Sequence, residues 1–75
     1  MVGTIAMIAD AFAVLATLDR KGMAYFNHSG DVVSVGNIDA DDVTEADIER
    51  LEGLGWTYTT SKYYGQTLYA FSFTY

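Results

Sequence analysis

The sequence predicts an α+β domain with element order α-β-β-α-β-β, a four-stranded antiparallel sheet and two helices packed on one sheet face. Three observations carry this. A long apolar stretch with helical spacing opens the chain. A short amphipathic segment with capping residues sits in the middle. Each is followed by two β-branched or aromatic runs joined by turn residues.

The first helix is expected over Thr4 to Lys21. Ile5, Met7, Ile8, Phe12, Val14, Leu15 and Leu18 cover about half of its wheel. Ala6, Ala9, Ala13 and Ala16 line the other side with Asp10 and Thr17, and that side is open to the second helix or to another copy of the chain. Arg20 and Lys21 suit the negative end of the helix dipole, and Gly22 suits the left-handed position beyond it. The apolar run Val2 to Leu18 falls short of the ~20 residues of a membrane span and carries Asp10 at its centre. No positive charge precedes Arg20, as a signal peptide requires. A buried core helix is expected, with no membrane partner.

Met23 to Asn27 and Val32 to Val35 read as a hairpin linked by His28-Ser29-Gly30-Asp31. Asn37 to Asp42 reads as a loop. Thr44 then caps a second helix, with Asp47 completing a short capping box and Val43 and Ile48 at staple spacing. Ile48, Leu51 and Leu54 form its inner stripe, while Glu45, Glu49 and Glu52 share an outer face. Gly53 and Gly55 stop it near Leu54. Trp56 to Thr60 and Thr67 to Thr74 are the last two strands. Trp56 and Tyr58 share one face; Tyr69, Phe71, Phe73 and Tyr75 share another row, opposite Leu68, Ala70 and Ser72. One of these two aromatic rows is expected on the outside, as an interface or as a wet tyrosine face.

Seventy-five residues form one domain, 1–75. Apolar residues make up 51% and charged residues 19%, a globular composition. A chain this short buries only about 60% of its unfolded surface. Having no cysteine, it has no disulfide or thiolate site to add stability, and its fold is independent of redox state. A very apolar core or self-association is the remaining source.

The charge is lopsided. Eight of the ten carboxylates lie between Asp31 and Glu52 with one base, Arg50, so that stretch carries −7 of a net −6. Such a field attracts positive surfaces and repels nucleic acid. The expected partner-binding residues are Asp39, Asp41, Asp42, Glu45, Asp47, Glu49 and Glu52. Helical spacing sets Glu45 and Glu49 about 6 Å apart along the axis, the order of the spacing of strand phosphates. The row would therefore stand in for nucleic acid on a basic protein surface. The plain alternative is that it only keeps an apolar domain soluble.

No catalytic residue, cofactor or metal ligand is expected. His28 reads as a solvated turn residue, and Ser29 beside it has no orienting third group. Asp39-Ala40-Asp41-Asp42 opens like a calcium loop, but Thr44 stands where glycine belongs and Arg50 where a bidentate glutamate belongs. The clustered aromatics lack the basic groove of a single-strand binder, so direct nucleic-acid binding is not expected.

Asp31-Val32-Val33-Ser34-Val35, the acidic link, Val43-Thr44-Glu45-Ala46-Asp47 and Leu51-Glu52-Gly53-Leu54-Gly55-Trp56 before an aromatic hairpin resemble a pattern common in small proteins of bacteriophages and mobile elements. In size, acidity and lack of cysteine the chain is similar to anti-CRISPR proteins. That resemblance implies an inhibitor in the cytoplasm of a bacterial host, acting by DNA mimicry on a CRISPR effector complex, and it assigns no role to any residue. The alternative is a structural or assembly protein acting as a homodimer through the alanine side of the first helix or an aromatic sheet face. Enzyme activity ranks behind both.

Overall fold

The computed structural model describes residues 3–75, so Val2, the first residue of the apolar run, lies outside the described residues. The elements are α1 (Thr4–Leu18), β1 (Tyr25–Ser29), β2 (Val32–Asp39), a single 3₁₀ turn (Ala40–Asp42), α2 (Glu45–Gly53), β3 (Thr57–Tyr63) and β4 (Gln66–Thr74). The four strands form one antiparallel sheet in the order β1-β2-β4-β3. This is the α+β order the sequence predicts. β2 and β4 are central, and β1 and β3 are edges.

All buried apolar side chains of the strands lie on one face. Val33 pairs with Phe73, Val35 with Phe71 and Ile38 with Tyr69. They join Ala11, Val14, Leu15 and Leu18 of α1, Leu51 of α2 and Trp56 in a single core. Trp56 stacks on Phe73 at 5.6 Å, and its indole N–H donates to the Met7 carbonyl of α1 at 3.2 Å. A buried indole thus keeps its hydrogen bond while filling the space between helix and sheet.

Register also settles the aromatic rows. Tyr58 pairs with Phe71, and Trp56 stacks on Phe73, so both rows lie on the core side. The expectation that one row is exposed is therefore corrected. Single strands show only which residues alternate; cross-strand pairing decides whether two rows coincide. The other face carries Asn27, Ser29, Ser34, Thr57, Thr59, Ser61, Ser72 and Thr74, a hydroxyl-rich surface. Tyr25 lies over Gly36 there, its ring filling the place a Cβ would take.

Several boundaries differ from expectation; β1 starts at Tyr25 and not Met23, and β3 at Thr57 and not Trp56. α1 ends at Leu18, before Arg20 and Lys21, because the Asp19 carboxylate accepts from the Ala24 amide at 3.0 Å and turns the chain early. The β1–β2 turn is only Gly30-Asp31, so His28 lies within β1. There its ring stacks on Tyr75 at 5.9 Å and bonds the Tyr75 hydroxyl, which donates in turn to the Gly30 carbonyl. β2 runs to Asp39 through an irregularity between Val35 and Ile38, where Asn37 takes a positive φ of 64°. The expected loop is thus half strand. Finally, β3 and β4 reach Tyr63 and Gln66, which leaves only Tyr64-Gly65 as a turn, both at positive φ.

Candidate functional site

The acidic stretch begins where β2 leaves the sheet. Asp39 is 7% exposed. One of its oxygens accepts from the Asp41 amide at 3.0 Å and starts the 3₁₀ turn. The other accepts from Gln66 at 2.6 Å and meets the Lys21 ammonium at 2.8 Å. Lys21 also reaches Asp42 at 3.0 Å. The early end of α1 makes this contact: the chain that would have continued the helix crosses to the end of β2 instead. The Lys21 ammonium, then the Asp41 amide, hold the Asp39 carboxyl below its ordinary value, while burial opposes them. Asp39 and then Asp42 raise Lys21 in return.

A second local task takes Asp47. Its carboxylate accepts from the Thr44 amide at 2.9 Å and the Thr44 hydroxyl at 2.8 Å, while the Asp47 amide donates to Thr44 Oγ1 at 3.2 Å. The capping box is formed as the sequence predicts. It satisfies amides at the start of α2 and places negative charge on the positive end of the dipole.

The expected row of outward carboxylates is therefore corrected. Asp39 and Asp42 turn toward Lys21, and Asp47 folds back on the helix start. Asp41, Glu45, Glu49 and Glu52 are the exposed members. The reason is a competition the sequence does not display: a buried or half-buried carboxylate is costly unless paired, and a lysine far along the chain supplies the pair. The calcium-loop reading ends in the same place, since the Asp39 oxygens already serve an amide, an amide side chain and an ammonium. Among the described residues no group of three or more His, Asp or Glu side chains converges as a metal site.

Beside the exposed carboxylates lies a feature that reading the charges alone missed. Glu45, Ile48 and Glu49 of α2 face Tyr58 of β3 and Tyr69 of β4 across a groove of about 330 Å³. The tyrosine rings meet edge to face at 5.5 Å, and Tyr69 stacks on Phe71 at 5.7 Å, so the floor is anchored in the core. Tyr58 is 41% exposed. Two carboxylates one helical turn apart thus rim an aromatic floor. This geometry suits a cationic side chain, which gains both charge-assisted hydrogen bonds and ring-face attraction. The signal in the sequence was the parity of Tyr58 and Tyr69. It needed the strand register to become a site.

Among the described residues no helix is long and apolar enough to cross a membrane. Comparison with known proteins finds no matching family model, no similar curated protein and no similar solved structure.

Proposed function

We propose that the protein is a non-enzymatic binding protein that docks on a basic protein surface and competes there with nucleic acid. The single observation that supports this best is the pairing of Glu45 and Glu49 with the Tyr58–Tyr69 floor. An arginine or lysine entering the groove replaces its hydration with carboxylates and a ring face. Asp41 and Glu52 widen the negative field around it, which speeds encounter with a positive partner. A channel that grips phosphates through arginine and lysine has the complementary chemistry. A CRISPR effector complex in the cytoplasm of a bacterial host is the concrete partner that the resemblance to anti-CRISPR proteins implies.

The test is displacement of labelled DNA from a purified CRISPR effector complex by the full chain at several salt concentrations. Wild type is expected to displace DNA, with a potency that falls steeply as salt rises. Glu45→Lys and Glu49→Lys should each weaken displacement by about tenfold or more. Asp10→Lys changes the net charge equally from an exposed position on α1, and should leave displacement nearly unchanged. Failure of wild type to displace DNA rejects the effector as partner. Equal effects of all three variants reject the groove as the contact.

A further inference from the structure

We infer that a second copy of this chain pairs with the β1 edge, two β1 strands running antiparallel about Asn27 to give a continuous eight-stranded sheet. Hydrogen-bonding direction leaves β1 an open edge. The Asp31 carbonyl accepts from Tyr75 on the β4 side, so Val32, Ser34 and Gly36 turn their backbone groups toward β1. Their partners there are Ser29, Asn27 and Tyr25. The alternate residues, Phe26 and His28, therefore point their N–H and C=O groups away from the sheet.

A two-fold axis at Asn27 sets Phe26 of each copy opposite His28 of the other. Those are the residues with free backbone groups, and the pairing gives four hydrogen bonds. β1 is exposed along its whole length and holds no lysine, proline, bulge or charge, the devices that normally block an edge. On the core side of this edge, Phe12 meets Phe26 edge to face at 5.8 Å, and Phe26 is 59% exposed. Phe12, Leu15, Ala16, Ala24 and Phe26 line a largely apolar groove of about 260 Å³ that opens beside the seam, with the Asp19 carboxylate, held by the Ala24 amide, at its margin. The two-fold brings the groove of one copy against that of the other.

Charge identifies the occupant as a second copy. Antiparallel pairing brings the link before β1, which carries Arg20, beside the Gly30-Asp31 turn that follows β1 of the second copy. Neither Arg20 nor Asp31 makes an ion pair within the chain among the described residues. The acidic groove stands over β3, the far edge. At ~4.8 Å per strand the two β3 strands of the pair are roughly 33 Å apart, several screening lengths at physiological salt. Repulsion between the two Glu45–Glu49 pairs is thus kept from the seam.

Sedimentation of the full chain over a concentration series tests this together with a charge swap at the axis. Wild type should dimerise. Asn27→Asp and Asn27→Lys each set like charges face to face, and should raise the dissociation constant roughly fivefold or more. An equimolar mixture of the two should restore the dimer. Circular dichroism confirms that the variants fold. The Phe26 and His28 amides should gain hydrogen-exchange protection as concentration rises. A wild type that stays monomeric at high micromolar concentration overturns the inference. So does a dimer that both variants leave intact, or a mixture that fails to recover.

Discussion

The Lys21 ammonium sits 2.8 Å from the Asp39 carboxylate, joining the α1–β1 link to the end of β2. The pair has a pH signature whose sign follows from its two shifts. Asp39 is lowered from 3.8, so its contribution to stability is complete above that value and is lost as pH falls through the folded-state value. Lys21 is raised from 10.5, so its contribution is complete below that value and is lost as pH rises through the raised one. Asp39→Asn keeps an oxygen for the Asp41 amide and removes the charge. It should be less stable than wild type at neutral pH, and the gap should close in strong acid. Urea midpoints across pH measure this; a gap that persists unchanged in acid would contradict it.

Trp56 is the hinge between α1 and the sheet. Trp56→Ala should cost about 3–5 kcal/mol, since it empties a buried volume and removes the indole hydrogen bond to the Met7 carbonyl. A chain of this length has about 4–11 kcal/mol in total. The variant is therefore expected to be largely unfolded by near-ultraviolet circular dichroism, and a cooperative, wild-type-like melt would refute the assignment.

The capping box separates Asp47 from the exposed carboxylates. Asp47→Ala should lower stability by about 1 kcal/mol, seen as a midpoint roughly 4–8 °C lower. Glu49→Ala, on the exposed face of the same helix, should change stability by less than about 0.5 kcal/mol. Equal melting shifts would show that the two carboxylates are not divided between structure and surface in this way.

Gly53 and Gly55 divide the work of ending α2. Gly53 is the last helical residue with open space around it, so Gly53→Ala should stabilise by about 0.4–1 kcal/mol. Gly55 holds φ +89°, and a Cβ there would lie 3.1 Å from the Phe73 ring. Gly55→Ala should destabilise by about 1–3 kcal/mol. Denaturant midpoints that move in the same direction for both would exclude this division.

The sequence by itself determined much of what depends on neighbours along the chain, though not where α1 ends or how short the two hairpin turns are. Element order, the Thr44–Asp47 capping box, the inward Leu51 and the outward Glu45, Glu49 and Glu52 follow from side-chain period and capping chemistry acting within a few residues. Only the tertiary structure decided which strand faces coincide and which charges meet. Trp56, Tyr58, Tyr69 and Phe71 share a side because β3 pairs with β4 in one register, and a slip of one residue would have separated them. Asp39 and Asp42 left the acidic row because Lys21, distant in sequence, was brought beside them and a desolvated carboxylate gains most from a partner. Local rules fix what each segment offers. Long-range packing and the cost of burying charge select which offers are taken up.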